Sequence, residues 1–331
     1  MTAILGIDVA KDSLAVALWR AGQAVEQAEF ANTRQGFNDL QRFLKKRRAV
    51  PVHACLEATG RYWENLADFL VERGHPVSVV NPARIKAYAH SQLTRNKTDQ
   101  LDASTIADFC RTQQPALWTP PAAAWRELQE LVRHLDDLET DRQRQRNRLH
   151  ALQQGAHPSP TVTAHLQQQI AFLTQQIEQA RQAIQDHINR HPDLKRQRDL
   201  LDSIKGVGPL TAAKLLGEYG DMSQFSDVRQ VTAFAGLNPR HHQSGSSIRG
   251  KTKISKVGRP SIRAALYMPA VVAKRFNPQL AALAARLASR GLTPMQIVVA
   301  VMRKLLHLAY GVLKSGHPYS PSFVPPGAAY A

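Results

Sequence analysis

Residues 3–19 read AILGIDVAKDSLAVALW, two apolar runs parted by the polar turn AKD. Runs this short, closed off by a turn, are strands and not helices. GQAVEQAEFAN supplies a third strand and completes a meander. The pattern then alternates. RQGFNDLQRFLKKR places Phe37, Leu40 and Leu44 on one helical face, PVHACLEA reads as a buried strand, 61–73 as a helix, PVSVVN as a strand, and helices open at Pro82 and Asp99. Three strands, helix, strand, helix, strand, helices predict an α/β layered domain over 1–115.

QQPALWTPPAAA is a Pro-rich boundary. Beyond it Leu128, Leu131, Leu135, Leu138, Leu149 and Leu152 keep a three-four spacing, with Arg142 and Gln145 in the intermediate places. Leu166, Ile170, Leu173, Ile177, Ala180 and Ile184 repeat it after the breaker GAHPSPT, which predicts a central helical hairpin or coiled coil over 116–198. Over 199–331 the texture predicts an all-α domain. LLDSIKGVGPLTAAKLLGEYG fits either a helix-hairpin-helix, whose glycines admit a DNA phosphate, or a plain tight turn between helices.

Charge separates the halves. The chain carries 43 Lys and Arg against 26 acids, a net +17, and +15 of it lies in residues 228–331, where 15 Lys and Arg meet no Asp or Glu. A hundred residues without an acid cannot form a surface laced with ion pairs; they suit a polyanion such as nucleic acid. Cys55 and Cys110 match no metal-ligand spacing and fit a reducing, cytoplasmic setting. The N-terminal stretch has no signal-peptide core, and MQIVVAVMRKLLHLAYGVL is interrupted by Arg303 and Lys304, so no membrane partner is expected.

Four acids stand at element ends. Asp8 closes the first strand, Glu57 the fourth, and Asp99 and Asp102 open the last helix of the domain, three apart and so on one face. Asp8 has a plain alternative as a turn cap, and Asp99 and Asp102 as a solvated, capping first turn. If strands one and four are neighbours, the four carboxylates converge, which is tolerable only around divalent cations, magnesium or manganese by their oxygen ligands. Asp108 lies off that face. In the basic half, SGSS follows His241 and His242 and precedes Arg249, Lys251, Lys253, Lys256, Arg259 and Arg263. It reads either as a flexible loop or as a nucleophile in a cationic setting.

The acids Asp8, Glu57, Asp99 and Asp102 in this element order resemble the RNase H-like fold of the RuvC resolvases. Together with KTDQLDA, IKGVGPLTAAKLL, FAGLNPRHHQSGSS, ISKVGRPSIRAALY and RKLLHLAYGVL, they resemble the insertion-sequence transposases that join a DEDD RuvC-like domain to a C-terminal serine-bearing domain. The resemblance implies a site-specific DNA recombinase acting on donor and target DNA, guided by a bridge RNA and assembling from dimers to a tetramer, in the bacterial cytoplasm at the nucleoid. It implies magnesium on Asp8, Glu57, Asp99 and Asp102, and Ser244 as nucleophile, with Ser246 and Ser247 as rivals. Nucleic-acid contacts are expected at Lys97, Arg240, Arg249, Lys251, Lys253, Lys256, Arg259 and Arg263. A metal-only nuclease would need the acids without Ser244; a sugar-kinase-like ATPase lacks its Gly- and Thr-bearing phosphate turn here; a non-catalytic scaffold leaves the acids without purpose.

Overall fold

A computed structural model of the chain describes residues 3–92, 99–240, 243–244, 248–249 and 253–321. Lys97, Lys251, His241, His242, Ser246 and Ser247 lie outside them. The chain divides into two compact units, Met1–Pro120 and Pro121–Ala331.

In the first unit, β1 (Ala3–Val9), β2 (Ser13–Trp19), β3 (Glu26–Ala31), β4 (Val52–Glu57) and β5 (Val77–Val80) form one sheet in the order β3-β2-β1-β4-β5. The meander strands pair antiparallel, while β1 with β4 and β4 with β5 pair parallel. This is the RNase H-like arrangement expected from the sequence. Strand side chains alternate between faces. Leu5, Ile7, Val9, Leu14, Val16 and Leu56 pack with Phe37, Leu40 and Leu44 of α1 (Arg34–Lys46) and with Leu66, Phe69 and Leu70 of α2 (Glu64–Glu72). His75 ties this layer together: its Nδ1 accepts from Val52 N–H at 3.1 Å and its Nε2 bonds Gln41 Oε1 at 2.9 Å.

The opposite face carries small residues. Ile4, Ala15, Ala17 and Cys55 meet Ala103, Ile106, Ala107 and Cys110 of α4 (Asp99–Gln113), with Ile85 of α3 (Pro82–Ser91) beside them. Gly6 lies in the middle of that face. A Cβ there would come within 2.1 Å of Ala103 O and 2.3 Å of Ala107 N, so α4 lies directly on the β1 backbone. A glycine inside a strand marks such an approach.

The second unit is built around α5 (Ala123–Gln153) and α6 (Pro160–Arg190), whose short connection makes them an antiparallel hairpin. Leu128, Val132 and Leu135 are buried, while Arg142, Gln145, Leu149 and Leu152 continue the seam half-buried. Their shared core runs on through α7 (Pro192–Asp202), α8 (Pro209–Tyr219), α9 (Val228–Phe234), α10 (Pro260–Phe276), α11 (Pro278–Ser289) and α12 (Pro294–Ser315). Between α7 and α8, Gly206 has φ +105°, and a Cβ on it would stand 2.6 Å from that of Ala273. This glycine is therefore required by packing on α10. Helix α12 alone among the described residues is long and apolar enough to cross a membrane, yet 67% of that apolar window is buried inside the protein.

The all-α expectation for 199–331 is corrected to mostly helical. Two short ladders interrupt the helices: β6 (Pro239–Arg240) pairs antiparallel with β9 (Lys253–Ile254), and β7 (Gln243–Ser244) with β8 (Ile248–Arg249). Pairs this brief carry no periodicity, so the Gly- and Ser-rich sequence hides them.

Candidate active site

Asp8 follows Ile4 and Gly6 on the β1 face that α4 covers, because residues two apart share a face. Glu57 follows Cys55 on the same face of β4. The parallel register pairs Gly6 with Cys55 and Ile7 with Leu56. One step further along it, Asp8 falls beside Glu57 on strands about 4.8 Å apart. On α4, Asp99 and Asp102 stand one turn ahead of the buried Ala103 and Ile106, and their charges act on Asp8 at the end of β1.

The electrostatics register this meeting. Burial, followed by the charges of Asp99, Asp102 and Glu57, pushes the Asp8 carboxyl from 3.8 up to about 6. Asp8, Glu57 and Asp102 are half-buried and Asp99 is exposed. Glu57 Oε1 accepts from Thr59 Oγ1 at 2.8 Å. Among the described residues, no three His, Cys, Asp or Glu side chains are already gathered into a set that holds a metal ion. Like charges splay apart, and a divalent cation is what would draw four carboxylates inward. The donor set fits magnesium in its chemistry: all oxygen and all anionic. Asp108 stands apart as predicted; it accepts from Tyr88 Oη and from Arg111 Nη2 at 2.5 and 2.6 Å.

Two positioning residues escape a reading of charge. One is Gly6, which admits α4. The other is Gln27 on β3, whose Nε2 donates to Gln100 O at 3.2 Å and Ser104 Oγ at 2.8 Å, fastening the first turns of α4. An isolated glycine within a strand pattern was a legible signal for the first; nothing local marks the second.

In the second unit Ser244 pairs with Ile248 in the β7–β8 ladder. Beside the β6–β9 ladder two legs of the chain, 234–238 and 255–259, are sewn together: Ser255 N–H donates to Asn238 O, Lys256 N–H to Gly236 O and Arg259 N–H to Phe234 O, at 2.8, 3.1 and 2.9 Å. Gly236 (φ +69°) and Gly258 (φ +146°) cross so closely that a Cβ on Gly258 would lie 2.5 Å from Gly236 N. Arg263 Nη1 donates to Ala235 O at 2.8 Å and to Gly258 O at 3.3 Å, one acceptor on each leg. Arg259 Nη1 binds Glu218 Oε2 and Glu218 O, both at 2.8 Å, and its guanidinium lies over the Phe234 ring. Both arginines thus brace the legs beside the β6–β9 ladder. Arg240 and Lys256 are exposed; for Ser244, Arg249 and Lys253 the described feature is the strand pairing of the backbone.

An RNase H-like sheet with acids at the ends of β1 and β4 and at the head of α4 defines an enzyme of DNA strand cleavage and transfer of the DEDD class, a class that uses divalent metal. The family model DEDD_Tnp_IS110, described as a transposase, matches residues 5–158, and the model described as "Transposase IS116/IS110/IS902 family" matches residues 198–285. The chain belongs to the IS110/IS116 family of transposases. It is 34% identical over 319 residues to the pilin gene-inverting protein of Moraxella bovis, covering 95% of this chain and 97% of that one. It is 25% identical to the transposase for insertion sequence element IS1328 of Yersinia enterocolitica, with 81% and 83% covered. The structure of T. thermophilus RuvC in complex with a Holliday junction substrate is 13% identical and covers 36% of this chain and 100% of that one, with a TM-score of 0.26.

Proposed function

We propose that this transposase cuts and rejoins DNA through Ser244, with Asp8, Glu57, Asp99 and Asp102 as ligands of magnesium or manganese. In the reaction a bond forms between Ser244 Oγ and a DNA phosphorus, the bond from that phosphorus to the leaving sugar oxygen breaks, and the serine proton passes to a base. When bound, the metal supplies Lewis-acid stabilisation of charge developing on the phosphate oxygens. The carboxylates orient it, and the basic half attracts the DNA. The observation that supports the reading is the Asp8 carboxyl, raised first by burial and then by the charges of Asp99, Asp102 and Glu57.

In this reading 1–115 is the DEDD catalytic domain, 116–198 a coiled-coil hairpin and 199–331 the serine-bearing domain. The partners are donor and target DNA and a bridge RNA. The protein acts in the cytoplasm as dimers that assemble to a tetramer, so that the carboxylates and the serine of one centre come from one chain or from two. The name of the Moraxella bovis relative supports a second outcome of the same chemistry, inversion of a DNA segment.

Asp102→Asn and Ser244→Ala, made separately and assayed for recombination and for a protein–DNA adduct, are expected to give no product, and Ser244→Ala no adduct. Recombination by Ser244→Ala would overturn the serine mechanism and leave a metal-dependent nuclease. Mixing the two variants tests sharing between chains: restored activity is the result expected of a composite site.

A further inference from the structure

Helix α12 is buried on nearly every side along its central turns, except for one half-buried stripe that holds Arg303, Lys304 and His307. Spacings of three and four make these neighbours, and Arg303 to His307 rises about 6 Å along the axis. Helix α11 packs on α12, and its exposed Arg286 acts on Lys304. The acid that faces the stripe is Asp227. That carboxylate is committed elsewhere: it caps α9, accepting from Arg229 N–H at 3.0 Å, with Arg229 Nε 3.9 Å away.

Among the described residues, no ion pair or hydrogen bond is made by the side chains of Arg286, Arg303, Lys304 or His307. Arg303 Nε and His307 Nε2 are shielded from solvent without a partner. Burial and then the Arg286 charge hold the Lys304 ammonium below its ordinary value. Burial, then Lys304 and Arg303, bring His307 down to about 4, against the smaller opposing pull of Asp227. Cations crowded on a half-buried stripe beside unpaired, shielded nitrogens are unfavourable in the free protein. What the stripe lacks is negative charge and acceptor oxygens.

We propose that Arg286, Arg303, Lys304 and His307 form a track for the phosphodiester backbone of a DNA strand. Arg303 and His307 stand one turn apart along α12, with Lys304 beside them and Arg286 added from α11, a spread that suits a chain of phosphates better than one small anion. DNA is the polyanion that a transposase must hold.

The test measures DNA affinity against salt for Lys304→Gln and Arg303→Gln in the full-length protein, with Lys304→Arg as the charge-retaining variant. Thermal melting runs beside it. Each Gln variant is expected to lower the slope of log K against log salt by about 0.9 and the affinity at 0.1 M salt by about eightfold, as when one phosphate is no longer neutralised. Lys304→Arg should keep the slope. Lys304→Gln should melt no lower than the parent, since a desolvated charge has been removed. An unchanged DNA slope in folded Gln variants would overturn the proposal. So would the same fall from the exposed Lys46→Gln, which would report net charge alone, and so would a fall seen with RNA but not with DNA.

Discussion

Replacing Asp8 by Asn should remove activity and yet stabilise the metal-free protein. The Asp8 carboxyl titrates near 6 in the folded chain and near 3.8 unfolded, so between those values the folded state binds more protons. Stability from this group is then present below about pH 4 and lost as pH rises through 6. A shift of about 2 units corresponds to about 3 kcal/mol; solvent screening of a half-buried carboxyl reduces this to about 1–2 kcal/mol. Asn resembles the protonated acid and carries none of that penalty. Urea unfolding in EDTA, followed by tryptophan emission, reports mainly on the first unit, which holds Trp19, Trp63 and Trp118 of the chain's 4 tryptophans. At pH 8 the variant should exceed the parent by about 1–2 kcal/mol, and the two should converge near pH 4. Magnesium should narrow the gap at pH 8 by stabilising the parent more. A variant that is less stable at pH 8, or a gap that persists at pH 4, would refute the raised Asp8 carboxyl on which the reading of the site rests.

Gly6→Ala forces a methyl group into the α4 backbone; it should destabilise the first unit by about 2–3 kcal/mol in the same urea assay and reduce strand cleavage more than the fold. Arg263→Gln should leave the salt slope of DNA binding unchanged while slowing adduct formation at least tenfold in single-turnover assays, because the guanidinium joins the two legs; a slope lower by about 1 would make it a phosphate ligand instead. His75 is held neutral by burial, below its ordinary value, so its contribution is present above about pH 6.5 and falls as pH drops through its lowered folded value. His75→Gln should flatten the parent's loss of stability on acidification, measured by urea unfolding between pH 7 and pH 5.

The first unit was readable because its strands and helices alternate with distinct periods and its acids stand at element ends. The predicted segments 3–9, 13–19 and the helices opening at Arg34, Pro82 and Asp99 coincide with observed elements. Less was readable where a residue acts through packing or hydrogen bonding. Gly6 and Gln27 position α4 without any charge to mark them. Arg259 and Arg263 look like phosphate ligands in a basic run, yet a guanidinium that binds a phosphate and one that binds two carbonyls leave the same letter in the sequence. The close crossing of Gly236 and Gly258 joins positions distant in sequence and is visible only once the legs meet.

The most direct measurement traps the cleaved intermediate on a DNA substrate whose leaving strand is lost, then maps the attached nucleotide by peptide mass spectrometry. The account predicts a nucleotide joined to Ser244 in the parent protein and none in Asp102→Asn. A nucleotide on another residue, or full recombination with no protein-bound nucleotide, would contradict it.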